Sequence, residues 1–196
     1  MKEMIKMVVV LTILSVLSGG GLAALRQNWQ EDIEKQQLKF VKGPAIMAVL
    51  PDVSNDPTEK RFKLNPGTKE ERNFFVGLEN GKKVVAFEST GKGFGGDIGI
   101  MIGVDPETDK ILGVGVTTHS ETPGLGSRAK SDAAFTDQFK GKSLLEPMKV
   151  KNDGGQIDAL SGATVTSRGV AQGVTEGGNI YKALKPQILE KLKSIQ

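Results

Sequence analysis

The sequence predicts an α+β fold in which one N-terminal transmembrane helix precedes a single domain, an antiparallel sheet with flanking helices. Three observations carry that prediction. An uncharged apolar run lies near the amino terminus, short β-rich runs are separated by Asn-Gly and Asp-Pro turns, and apolar residues recur at helical spacing in two later stretches. A chain of 196 residues has room for one ordinary core plus an appendage. We divide it into an anchor at residues 1–25, a stalk and irregular connection at 26–70, and an extracytoplasmic domain at 71–196.

Met7 to Leu25 carries no charge, follows Lys2 and Lys6, and has about the length needed to cross a bilayer. Trp29 follows, where an indole can sit in the interfacial region. A cleaved signal peptide is the competing reading, with Met7 to Leu17 as its apolar segment and the small residues from Ser18 to Ala24 as its processing region. Both readings export the domain. A buried core helix fits less well, because the run has no polar face. Arg26 to about Lys42 is polar with Ile33, Leu38 and Phe40 interspersed, which predicts a helical stalk ended by Gly43-Pro44. Pro51 to Gly67 shows no sustained period and is read as mostly irregular.

Phe74-Phe75-Val76, Asn80-Gly81 and Val84-Val85-Ala86-Phe87 together predict a hairpin, since Asn-Gly suits the positive-φ positions of a type I′ turn. Ile98 to Val104 and Ile111 to Val116, joined by an acidic turn containing Pro106, extend it into an antiparallel meander. Ser127 to about Phe139 reads as a helix with Ala129, Ala133 and Phe135 or Phe139 toward the core. A second helix lies within Ser161 to Leu184, and Pro186 is expected to start a short terminal helix with Ile188, Leu189, Leu192 and Ile195 on one stripe.

Composition removes several function classes. The 26 Lys and Arg against 23 Asp and Glu give a net charge of +3, without a basic block, so nucleic acid is not an expected partner. With no cysteine and a single histidine, thiolate-held iron–sulfur clusters, a CxxCH haem and multi-histidine zinc sites lack ligands, and no metal site is assigned. No Gly-x-Gly-x-x-Gly opens a helix after a strand, so the chain is not expected to bind NAD. Any redox chemistry must use an organic cofactor.

The stretch Asp158-Ala159-Leu160-Ser161-Gly162-Ala163-Thr164-Val165-Thr166-Ser167 sets small residues and four hydroxyl side chains just before a helix. Unpaired N–H groups and the positive dipole end at such a terminus attract phosphate, and Gly162 with Ala163 would let a ligand approach the backbone. The plainer alternative is that Ser161 or Thr164 is an N-cap.

Asp158-x-x-Ser161-Gly162-Ala163-Thr164 resembles the flavinylation motif of FMN-binding domains in Rnf-type complexes and in sodium-translocating NADH:quinone reductase. Thr118-His119-Ser120-Glu121-Thr122-Pro123-Gly124-Leu125-Gly126 and Gly93-Phe94-Gly95-Gly96-Asp97-Ile98 resemble two further blocks of the same family, in the same order, although Asp97 stands where proline is expected. The resemblance spans about Gly91 to Val174 and the amino-terminal anchor. It implies the G subunit of an Rnf-type ion-translocating ferredoxin:NAD oxidoreductase, with the longer C subunit of the quinone reductase as the nearest alternative. An exported module that binds FMN or phosphate reversibly is the alternative of another class.

By the same resemblance, Thr164 is the residue esterified to the FMN phosphate by a dedicated flavin transferase, and Asp158 belongs to recognition by that enzyme. Ser161, Gly162, Ala163 and Thr166 would complete the cofactor site, with Glu121, Thr122 and Leu125 near the isoalloxazine ring. Phe94 is either a ring that stacks on the flavin or part of the core. His119 is read as structural, and no catalytic residue is assigned. The implied role is electron transfer within a multisubunit inner-membrane complex, by a single-pass protein whose FMN domain lies on the periplasmic side and has no independent catalysis.

Overall fold

The computed structural model describes residues 1–65, 67 and 71–195, with the backbone alone described at Glu31 and Glu34. Residues 66 and 68–70 of the expected irregular connection lie outside the described residues. The chain divides into two compact units, Met1–Phe40 and Val41–Gln196.

In the first unit, helix α1 (Lys2–Asn28) is 27 residues long, with a mean hydropathy of 2.2 over its most apolar stretch. At 1.5 Å per residue it reaches roughly 40 Å, enough to cross a bilayer. Its apolar residues are distributed all round, as a lipid-facing helix requires. Helix α2 (Gln30–Gln37) is polar.

The stalk does not end at Gly43-Pro44. A wider π-type turn at Leu38–Lys42 leads to helix α3 (Gly43–Val49), and Pro44 lies in the first turn of α3. Proline is tolerated there because the N–H it lacks would have no partner within the helix.

The core is a five-stranded antiparallel meander in the order β1 (Arg61–Leu64), β2 (Arg72–Glu79), β3 (Lys82–Lys92), β4 (Asp97–Asp105), β5 (Lys110–Val116). The expected hairpin is present: Asn80 and Gly81 both have positive φ, 48° and 80°. Strand β1 falls in the stretch read as irregular. Four residues are too few to show a period, and pairing with Arg72–Phe75 of β2 specifies the strand.

Both faces of β4 are covered, so Ile98 to Val104 is buried without interruption. Ile98, Ile100, Ile102 and Val104 join the main core, while Gly103 meets Val49 and Leu50 at the end of α3. The main core lies under helix α6 (Thr164–Ser194), whose residues Val170, Val174, Tyr181, Leu184, Ile188 and Leu192 face it. In the first half of α6, Gly169, Gly173 and Gly177 recur every fourth residue and press on β3 and β4: Gly169 abuts the Lys92 carbonyl, Gly173 abuts Gly91 and Ile100, and Gly177 abuts Ile102 and Ser89.

Two expectations for the helices need correction. Residues 127–139 are not one helix: α4 (Arg128–Ser131) and α5 (Ala133–Thr136) are separated by Asp132, whose extended backbone (φ −93°, ψ 97°) breaks the run, and a 3-10 turn follows at Asp137–Phe139. Ala129, Phe135 and Phe139 reach the core as expected, whereas Ala133 is exposed. Pro186 starts no new helix but sits inside α6, with Ile188 and Leu192 continuing the buried face of Tyr181 and Leu184. An interior proline costs about 3 kcal/mol, and burying two large aliphatic side chains returns a comparable amount. Leu189 is turned to solvent and Ile195 packs against the core from just beyond the helix end.

Candidate functional site

Helix α6 begins with Ala163 as its N-cap, and no side chain caps it. The turn before it is held from below. Buried Ser167 donates to the Ala163 carbonyl through Oγ (2.9 Å) and accepts from the Leu160 N–H (2.9 Å), while Gly162 takes a positive φ of 77°. The N-cap reading of Ser161 or Thr164 is therefore incorrect. The Ser167 bonds go to the Leu160 N–H and the Ala163 carbonyl, and among the described residues no side chain caps the first N–H groups of the helix. Thr164 is half-buried, and its hydroxyl makes no hydrogen bond among the described residues.

The start of α6 forms one wall of an open cleft of about 440 Å³. Gly162, Ala163, Thr164, Val165 and Thr166 line that wall, Glu121, Thr122, Leu125 and Gly126 line the loop after β5, and Phe94 comes from the β3–β4 connection. Three large apolar side chains at its mouth stay exposed: Phe94 (76%), Leu125 (48%) and Val165 (46%). Of the two readings of Phe94, core membership is excluded.

Glu121 and Thr166 lie deeper, at 7% and 2% exposure. Glu121 Oε2 accepts from Thr166 Oγ1, and Oε1 accepts from the Gly95 N–H at 2.8 Å. A side chain on Gly93 or Gly126 would overlap the Glu121 carboxylate, and one on Gly95 would overlap the Ser120 carbonyl. The glycines of the two loop motifs thus make room for one acid. His119 accepts from the Glu121 N–H through Nδ1 (3.2 Å), a contact within the loop, in keeping with a structural role.

The structure brings together Thr164, Gly162, Ala163, Thr166, Glu121, Thr122 and Leu125, all around one cleft. Ser161 and Asp158 face a neighbouring hollow with Arg128 and Gln138. Asp158 is exposed, paired with Lys151 at 2.7 Å and braced through its backbone by Gln138. Val165, Gly95 and the bracing role of Ser167 escaped the sequence reading. Val165 stands directly after Thr164 in the sequence, which was the available signal for the first, and the other two depend on tertiary contacts.

Arg168, on the outer side of α6, holds Asp153 by two hydrogen bonds of 2.7 Å, and this pairing keeps the Asp153 carboxyl below its ordinary value of 3.8. A second, more polar hollow of about 460 Å³ is lined by Lys42, Arg72, Asn73, Glu88 and Asp97. Lys42 and Glu88 there pair with each other at 2.7 Å, and the hollow contains no part of α6. Among the described residues no cluster of His, Cys, Asp and Glu could hold a metal ion.

The FMN-binding domain family matches residues 93–177, the span that contains both loops and the start of α6. The G subunit of an ion-translocating oxidoreductase complex from Pseudomonas aeruginosa is 32% identical over 189 residues, covering 90% of this chain and 88% of its own. In Clostridium ljungdahlii, the G subunit of a proton-translocating ferredoxin:NAD(+) oxidoreductase complex is 38% identical over 102 residues, 50% of this chain and 54% of the relative. The crystal structure of the C subunit of Na(+)-translocating NADH-quinone reductase from Parabacteroides distasonis superposes with a TM-score of 0.61 at 24% identity, covering 81% of this chain and 94% of that one. That likeness shows the same fold.

Proposed function

The chain belongs to the family of G subunits of ion-translocating oxidoreductase complexes, and on that premise we propose that it is a membrane-bound electron carrier holding FMN by a phosphoester to Thr164. One observation supports the attachment site: Thr164 presents a hydroxyl without a hydrogen-bond partner among the described residues, at the uncapped start of α6 and lining the cleft. The residues present fit the cofactor. The first-turn N–H groups and the helix dipole would hold the phosphate, and Phe94, Leu125 and Val165 would cover an apolar ring system. The volume lies within the range of small-molecule sites, roughly 300–1,000 Å³. When bound, FMN supplies reversible electron uptake and release, while the chain's own residues hold and orient it.

Attachment requires a flavin transferase acting on FAD. The Thr164 oxygen forms the new bond to phosphorus, the pyrophosphate bond breaks, AMP leaves, and the hydroxyl proton passes to the transferase. Exposed Asp158 is available to that enzyme from outside the cleft. Thr166 is a poor acceptor beside Thr164, because its hydroxyl is buried and already given to Glu121. The α1 helix would anchor the protein in the inner membrane with the FMN domain on the periplasmic side. Other membrane and peripheral subunits would carry electrons between ferredoxin and NAD, the reaction named for the Clostridium relative.

The test is Thr164→Val, expressed with the flavin transferase and the other subunits. Denaturing electrophoresis should show fluorescence on the wild-type chain and none on the variant, with the set of assembled subunits unchanged and ferredoxin-dependent NAD reduction lost. Wild-type turnover in a fully assembled, flavin-free variant would refute the carrier role and favour a reversible binding module.

A further inference from the structure

We propose that Glu121 is a positioning residue for the cofactor site, fastening the start of α6 to the β3–β4 connection so that the two cleft walls keep one spacing; this rests on the FMN reading above. The fastening is direct. One carboxylate oxygen takes the Gly95 N–H and the other takes the Thr166 hydroxyl, joining segments 26 and 45 residues away in sequence from Glu121. The acid sits 7% exposed with no cationic partner among the described residues, and a buried carboxylate left that way is costly unless its hydrogen bonds are kept. Proximity to the start of α6 helps, because the positive end of the helix dipole favours a negative charge there.

Each wall that Glu121 joins carries one of the residues proposed to contact the flavin. Gly95 adjoins Phe94, and Thr166 lies two residues after Thr164. Releasing either hydrogen bond frees one wall relative to the other while leaving the Thr164 hydroxyl exposed for attachment. Glu121 thereby sets the pose and surroundings of the flavin without being its point of attachment. A direct charge effect on the ring is separable: Thr166→Val removes one fastening bond and no charge.

The experiment uses the full chain, co-expressed with flavin transferase, as wild type, Glu121→Gln, Thr166→Val and Thr166→Ser. Covalent flavin per polypeptide, the visible circular dichroism and midpoint potential of the flavin, and amide exchange at Gly95 are measured on each. The dichroism and potential are read on the flavin-bearing fraction of each. Glu121→Gln should speed exchange at Gly95 by roughly tenfold, the effect of one weakened hydrogen bond to a charged group. Glu121→Gln and Thr166→Val should both change the dichroism and potential, and Thr166→Ser, which keeps the hydroxyl, should restore them. If Glu121→Gln fails to fold, the Thr166 pair decides alone. Wild-type dichroism and potential in loaded Thr166→Val would overturn the positioning role with the FMN reading intact. A wild-type chain that takes up no covalent flavin would instead overturn the FMN reading, and the positioning role with it.

Discussion

The two ends of α6 are treated in opposite ways. At the carboxyl end the backbone carbonyls are closed off, since Lys83 of β3 donates to the carbonyls of Leu192 and Ile195 at 2.8 and 2.6 Å. Further up the same half, Tyr181 and Lys185 both bond Asp109 of the β4–β5 turn, at 2.7 and 2.6 Å. Burial, then the Asp109 hydrogen bond, pushes the Tyr181 hydroxyl well above its ordinary range, so near neutral pH it donates to Asp109. At the amino end, among the described residues, no side chain caps the helix and none bonds the Thr164 hydroxyl. The difference separates stability from function. One end is satisfied by the protein itself, and the other is where we propose that the FMN phosphate binds.

Changes along the helix test this division. The largest effect is expected at the glycine seam. Gly169→Ala gains up to about 1 kcal/mol in helix propensity. Its methyl, however, would push into the backbone of Lys92 and Gly93, which cannot rotate away, and overpacking of this kind costs about 1–3 kcal/mol. The overpacking term wins, so Gly169→Ala should unfold at lower denaturant concentration than wild type. Equal or higher stability would show that the seam has slack. Lys83→Met should cost less, about 1 kcal/mol, because it removes a cation from the helix carboxyl end while retaining the aliphatic stem. The expected fall is about 2–4 °C in melting temperature, without a change in flavin loading. A loss of loading would mean that the two ends are coupled.

The smallest effect concerns the exposed Arg168–Asp153 pair. Asp153 is held below 3.8 in the folded chain, so its contribution is complete above that value and disappears as pH falls through the lowered one. Asp153→Asn should leave stability near neutral pH almost unchanged, as usual for exposed pairs. It should also slightly flatten the acid limb of the stability curve. An acid limb identical to that of wild type would remove this pair from the account.

How far these features were legible follows from their range along the chain. The hairpin at Asn80-Gly81 and the meander through Val116 are local patterns, and they appear at nearly the expected residues. The place of Thr164 on the cleft wall is equally local, since Gly162, Ala163 and Thr166 line the cleft beside it. The break at Asp132 was not legible, since a good helical stripe at Ala129 and Phe135 survives it. Pro186 misled for the opposite reason: a local helix stop is overridden by burial of Ile188 and Leu192 against strands far away in sequence. For Glu121 the sequence shows an acid in a glycine-rich loop. Its partners Gly95 and Thr166 lie on other elements, and periodicity reports which face a residue occupies without naming what meets it.

The seam between α6 and β3 has one more consequence, for how the site responds when its charge changes. Where Gly169 and Gly173 meet Gly91 and the Lys92 carbonyl, main chain touches main chain. Such a junction has no rotamers to redistribute, and glycine loses no side-chain entropy on being buried. Strain there cannot be relieved by a side chain turning over, so the start of α6 and the end of β3 are joined through main chain alone. In the FMN carrier proposed above, such a framework would rearrange little with each transfer, and relaxation would fall to water and to the exposed side chains Phe94, Leu125 and Val165.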